Sequence, residues 1–239
     1  MTRVIVTRAE PDGDAFAGLC RAHGLDPVLA PVMRIEIAKA PVALAGVGAL
    51  AFTSANGVRA FAANSERRDL LVFSVGPVTG EAARGAGFTE IRSADGDVDS
   101  LAGHIAAESA SIRGALLHVA GEDRAGDLVA LLAAKGIDAR RQSLYAARPA
   151  DALSAAAHAA LADAAPADWV SLFSPRTARI FLELVDRAGL SSRLSHCRAA
   201  CLSEAVADAA RQAHWAGLGV ARERSAESLI ALMTADVRA

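Results

Sequence analysis

The segment Ala51-Phe52-Thr53-Ser54-Ala55-Asn56-Gly57-Val58-Arg59-Ala60-Phe61 reads as the end of a buried strand, a polar turn and the first turns of a helix. Ser54 has the chemistry of an N-cap, because its hydroxyl can accept a backbone N–H from the open first turn. Val58 and Phe61 follow it by four and seven residues, the spacing of one apolar helical face. The construction returns as Leu172-Phe173-Ser174-Pro175-Arg176-Thr177-Ala178-Arg179-Ile180-Phe181, at an offset of 120 residues (174 − 54). A second pair keeps the order, since Gly76 to Phe88 aligns with Ser203 to Trp215 at an offset of 127 (203 − 76). Two halves made of the same strand–turn–helix units are confined to duplicated α/β folds. Each turn also presents unpaired N–H groups and the positive end of a helix dipole, a ready anion site.

The rest of the chain extends the alternation. Val4-Ile5-Val6 is a short apolar strand, and Pro11-Asp12 starts a helix that runs to His23 and stops at Gly24. Further strands are expected at Pro27–Pro31, Leu71–Val75, Ile91, Ala115–Val119, Trp169–Phe173, Ala199–Leu202 and Val220-Ala221. Helices are expected from Gly76 to Gly87, after a cap at Asp99-Ser100, up to Lys135, over Ala150–Ala164, up to Ala188, from Ser203-Glu204 to His214, and after Ser225. Ile35-Glu36-Ile37 and Gln142–Arg148 read instead as exposed extended ribbons. Short apolar strands alternating with helices of 10–15 residues imply parallel sheets built from right-handed βαβ units. About five core strands per half gives two flavodoxin-like sheets, with ligands beyond the carboxyl ends of the strands and a cleft between the sheets.

Composition bounds the function. At 239 residues with 53% hydrophobic content, two compact domains can form without disulfide or metal staples. Cys20, Cys197 and Cys201 show no framework spacing, so core thiols in a reducing compartment are expected. A net charge of −2 leaves no nucleic-acid or membrane-surface footprint. Only Lys39 and Lys135 are lysines, so the cations are nearly all arginine, suited to bidentate carboxylate contacts. The apolar start at Val4-Ile5-Val6 is too short for a signal peptide, and the run Ala40–Phe52 is interrupted by Pro41, Gly46 and Gly48. A soluble, cytoplasmic protein is expected.

A family resemblance rests on an ordered set of short motifs. These are Val6-Thr7-Arg8, Pro31 to Ile35, Phe52-Thr53-Ser54-Ala55-Asn56-Gly57-Val58, Val75-Gly76-Pro77-Val78-Thr79, Gly121-Glu122-Asp123-Arg124 with Leu128, Leu144-Tyr145, Phe173-Ser174-Pro175 and Ser225-Ala226-Glu227-Ser228-Leu229. In this order and spacing the chain resembles uroporphyrinogen-III synthase, and the set spans essentially its whole length. The resemblance implies a composite domain of residues 1–36 plus 149–239, a second domain of 41–142, and a two-stranded linker ladder at 37–40 and 143–148. It implies closure of hydroxymethylbilane with inversion of the last pyrrole ring and loss of water, as a cyclising hydro-lyase of tetrapyrrole biosynthesis that needs no cofactor or metal. It also implies a monomer whose partner is the polycarboxylate substrate, with transient handover from porphobilinogen deaminase. The linear substrate can cyclise unaided without inversion, so such an enzyme mainly controls geometry. A hundredfold preference requires roughly 2.7 kcal/mol. A non-enzymatic two-domain binding protein for an anionic metabolite is the alternative reading.

The resemblance makes Tyr145, the only tyrosine, a candidate general acid toward the departing hydroxyl; a hinge-packing aromatic is the other reading. Ser54, Ser174 and Thr79 could donate to substrate carboxylates or act only as helix caps. Gly76 and Gly121 suit close backbone approach to a ligand, or plain turns. Arg8, Arg124 and Arg176 lie on strand-end turns, as carboxylate binders or as solvated charges. Thr7, Thr53, Asn56, Pro175 and Ser203 complete the substrate-binding set by their places in the motifs. The chain has Val206 where the family commonly has threonine, and Ser203 could supply a compensating hydroxyl. His118 reads as a core or sheet-edge histidine, and no metal ligands or nucleotide-binding spacing appear.

Overall fold

The computed structural model describes residues 1–94, 96–123, 126–166 and 168–235. The chain divides into one unit of residues 1–34 with 148–239 and another of residues 35–147. The first unit contains β1 (Arg3–Val6), α1 (Asp12–Ala22) and β2 (Asp26–Leu29). The chain then runs through β3 (Met33–Ile37), β4 (Val47–Phe52), α2 (Ala55–Asn64), β5 (Leu71–Ser74), α3 (Pro77–Gly85), β6 (Ile91–Ser93), α4 (Val98–Ala107), β7 (Ala115–Gly121), α5 (Leu128–Ala133) and β8 (Ala139–Pro149). It returns through α6 (Ala155–Ala162), β9 (Trp169–Leu172), α7 (Pro175–Arg187), β10 (Arg198–Cys201), α8 (Glu204–Ala210), β11 (Gly217–Val220) and α9 (Ala226–Ala235).

One sheet has the order β11-β10-β9-β1-β2, the other β3-β8-β7-β4-β5-β6. The registered pairs β1–β2, β1–β9, β9–β10 and β10–β11 are parallel, as are β4–β5, β4–β7, β5–β6 and β7–β8. Numbered within its own unit, the first sheet has the flavodoxin-like order 2-1-3-4-5. The second, without β3, reads β6-β5-β4-β7-β8. The two orders coincide when β4, β5 and β6 are matched to β9, β10 and β11, and β7 and β8 to β1 and β2. The sequence repeat makes the same match, Ser54 after β4 with Ser174 after β9. The units are therefore one sheet in two circularly permuted connections.

Parallel strands covered on both faces are continuously apolar, with successive side chains entering opposite layers. In β1, Ile5 packs into one core, and Val4 and Val6 into the other. In β4, Leu50 and Phe52 face the layer of Val58 and Phe61, whereas Ala49 and Ala51 face Leu101 and Ile105 of α4. Helix termini follow local chemistry. Ser54 accepts the Asn56 N–H at 3.1 Å, Ser174 the Thr177 N–H at 3.0 Å, and Ser225 the Ser228 N–H at 3.1 Å.

Several element bounds differ from expectation. The α4 cap is Asp97 rather than Asp99-Ser100, because its carboxylate accepts the Ser100 N–H at 2.9 Å. Helix α6 starts at Ala155 instead of Ala150, where Ser154 accepts the Ala157 N–H at 3.1 Å. Helices α5 and α8 stop at Ala133 and Ala210, short of Lys135 and His214. Trp215 Nε1 takes the Ala210 carbonyl at 2.8 Å and closes α8. The ribbon at Gln142–Arg148 is the latter part of an eleven-residue strand. Cys20, Cys197 and Cys201 are buried free thiols whose pKa burial pushes up to about 12. No helix among the described residues is long and apolar enough to cross a membrane.

Candidate active site

In a doubly wound sheet, ligands bind where neighbouring strands send their connections to opposite faces. That switch point falls between β1 and β9 in the first unit and between β4 and β7 in the second, equivalent places under the permuted match. Most of the predicted residues gather at these two points. Thr53, Ser54 and Asn56 follow β4, and Gly121 ends β7; Thr7 and Arg8 follow β1, and Ser174, Pro175 and Arg176 follow β9. Gly76 and Thr79 lie one strand further out, after β5, and Ser203 after β10. Arg124 lies outside the described residues.

In the second unit Thr53, Ser54, Gly121 and Tyr145 line one cavity of about 200 Å³, together with His118 and Arg141. Ser54 Oγ caps α2 and donates to no described residue, so its proton is available. The Tyr145 hydroxyl likewise has no hydrogen-bond partner among the described residues. Its backbone carbonyl accepts the Glu122 N–H at 2.8 Å, which ties the turn after β7 to β8. Arg141 donates to the Gly121 carbonyl and, at 3.3 Å, to that of Glu122, clamping the same turn. Asn56 is engaged locally, accepting from Arg59 Nη1 at 2.7 Å. Thr79 is buried at the third position of α3, and Gly76 is its N-cap residue, with no side chain to close the turn.

Composition and motif do not single out Arg141 or give His118 a site role; strand register does both. His118 pairs with Ala51 on β4 and with Arg141 on β7's other neighbour, β8. Alternation puts Thr53 and His118 on the same sheet face, and His118 Nε2 lies 3.2 Å from Thr53 Oγ1. Burial first, then the Arg141 charge, push the imidazole down to about 4, against a smaller opposing pull from Asp127. It is neutral at pH 7.

The first unit's switch point is arranged differently. Thr7 is buried and donates its hydroxyl proton to the Ser171 carbonyl at 2.6 Å, so Thr7 can only accept from a ligand. The Arg8 guanidinium stacks 4.9 Å from the Phe173 ring centre and reaches Asp12 at 3.4 Å. It is a held cation, half-buried, rather than a freely solvated one. Ser174 caps α7 and shares a 2.8 Å hydrogen bond with the Thr177 hydroxyl, while Pro175 takes the first helical position and Arg176 the first turn. Ser203 precedes α8 without capping it, and its hydroxyl bonds to no described residue. Val206, equivalent to Thr79, is buried in the apolar core, where it needs no hydrogen-bond partner.

Two doubly wound sheets related by permutation, each with hydroxyl and arginine side chains at its switch point, define a duplicated α/β protein suited to anionic ligands. The chain belongs to the uroporphyrinogen-III synthase family: the model described as Uroporphyrinogen-III synthase HemD matches residues 14–231. Its fold is similar to the crystal structure of uroporphyrinogen-III synthetase from Helicobacter pylori, with a TM-score of 0.68 and 14% identity over 99% of each chain. It is also similar to a mutant uroporphyrinogen III synthase from the extremely thermophilic bacterium Thermus thermophilus, with a TM-score of 0.54 and 21% identity, covering 100% of this chain and 98% of that one. No curated protein matches the sequence.

Proposed function

We propose that the chain closes hydroxymethylbilane into uroporphyrinogen III, inverting the last pyrrole ring and releasing one water, as a cyclising hydro-lyase. Family membership over residues 14–231 carries this reading and supports it over a non-enzymatic binding protein. The departing group is the substrate's hydroxymethyl oxygen. As its bond to carbon breaks, the Tyr145 phenol donates the proton that turns hydroxide into water, and pyrrole nitrogen electrons stabilise the carbon left behind. An unpartnered phenol in a polar cavity supports that role, because nothing within the described protein competes for its proton. Thr53 and Ser54 donate to substrate carboxylates, with the Arg141 charge nearby. Arg8 and Ser174 contribute to carboxylate binding at the first unit's switch point. The Thr53, Ser54 and Arg141 contacts hold the substrate in the bent geometry that favours inversion over direct closure. The working form is a cytoplasmic monomer that receives substrate from porphobilinogen deaminase. The test is a coupled reaction of porphobilinogen, a deaminase and this protein, followed by separation of the oxidised product isomers. Type III product is expected, and type I alone contradicts the reading.

A further inference from the structure

His118 is a buried polar group, 6% exposed, to which the proposed chemistry assigns no part. Its Nε2 meets Thr53 Oγ1 at 3.2 Å, and its Nδ1 is buried with no hydrogen-bond partner among the described residues. A neutral imidazole carries one N–H. On Nδ1 that proton would be a buried donor without an acceptor, a state folded proteins rarely contain. On Nε2 it is donated to Thr53, and only a bare lone pair stays unmatched, the lesser deficit. The Nε2–H tautomer follows. With the ring as donor, the Thr53 oxygen accepts, and its own O–H must turn to something else. No described residue accepts that proton, and Thr53 and His118 line the same cavity.

The geometry points to His118 as a positioning residue that holds the Thr53 hydroxyl proton toward a substrate carboxylate in this cavity. The inference rests on the proposed polycarboxylate substrate for its ligand, but not for its tautomer. Leucine at 118 would let the Thr53 hydroxyl rotate freely, whereas glutamine keeps an N–H donor on a side chain of similar reach. Removing an interaction that ground and transition states share equally raises KM and spares kcat.

Protein labelled with 15N-histidine gives the tautomer directly from ring proton–nitrogen correlations at neutral pH. The neutral Nε2–H form is expected for His118. The Nδ1–H form overturns the inference, and does so whether or not the chain is a synthase. In the coupled assay, His118→Leu and Thr53→Val should each raise KM about tenfold with kcat little changed. The double variant should be no worse than either, and His118→Gln should recover most of the loss. Wild-type KM in His118→Leu, or losses that multiply in the double variant, overturns it. If His118→Leu does not fold, the comparison of Thr53→Val with His118→Gln, together with the tautomer, decides. A wild-type protein that makes no type III product counts against the proposed function and leaves the ring spectrum as the judge of His118.

Discussion

A Cβ built on Gly121 would lie 2.9 Å from both Cε2 and Cζ of Tyr145, closer than such atoms approach in folded proteins. The glycine at the end of β7 is what lets the tyrosine ring lie against the turn. Gly121→Ala should therefore displace the ring, which packs against the core of β4 and α2 but has no hydroxyl hydrogen bond to a described residue to anchor it. The expected outcome is a kcat about tenfold lower or worse, with a small change in melting temperature. Steady-state kinetics beside a thermal melt check it, and wild-type kcat with a displaced melt would contradict it.

Tyr145→Phe isolates the phenol from the ring. The hydroxyl holds no described hydrogen bond, so its loss should leave the melting temperature almost unchanged. If it supplies the proton to the departing hydroxyl, turnover should fall about a hundredfold. A large drop in stability with nearly normal turnover would assign the residue to packing.

Gly57, in the motif after β4, answers to a different constraint. A Cβ there would meet the Val119 carbonyl oxygen at 2.8 Å and Phe52 Cδ1 at 3.3 Å. Helix α2 thus rests on β7 with no room for a methyl group, and the obstacle is backbone, which does not yield. Gly57→Ala should cost about 1–3 kcal/mol. A lower denaturant midpoint at unchanged slope is the expected measurement.

The buried imidazole also sets a pH dependence. His118 titrates near 4 in the folded protein, against 6.5 for the free side chain. Between those values the unfolded chain binds a proton that the folded chain does not, so stability falls as pH drops from 6.5 to 4 and this contribution levels off below. The magnitude is up to about 3 kcal/mol. Arg141 lowers the folded value and Asp127 raises it, so both face the group in question. The difference between wild type and His118→Leu in denaturant titrations from pH 7 to 4 isolates the effect from the carboxylates. A difference that does not change with pH would contradict it.

Much of this was legible in the residues and some was not. The strand–serine–helix repeat reveals both sheets, because burial on two faces forces continuous apolar runs and an open first turn calls for a capping hydroxyl. Helix ends were less legible. Ala150 to Ala164 is helix-forming throughout, and only the hydrogen bond to Ser154 shows where α6 begins. His118 and Arg141 stayed hidden for a topological reason. Their relation to each other and to Thr53 needs the β4–β7–β8 register, which joins residues 65 apart in the chain for Thr53 and His118. The repeat alone does not show the permutation, since an offset repeat looks the same whether the strands are reconnected or not; the composite domain came only from the family resemblance.

Control of ring closure is measured most directly by one titration. At fixed porphobilinogen and deaminase, the type III fraction of oxidised product is followed as this protein is raised from zero. The fraction should climb from none toward all of the product, at an unchanged rate of porphobilinogen consumption. A product that stays type I at every protein concentration would contradict it.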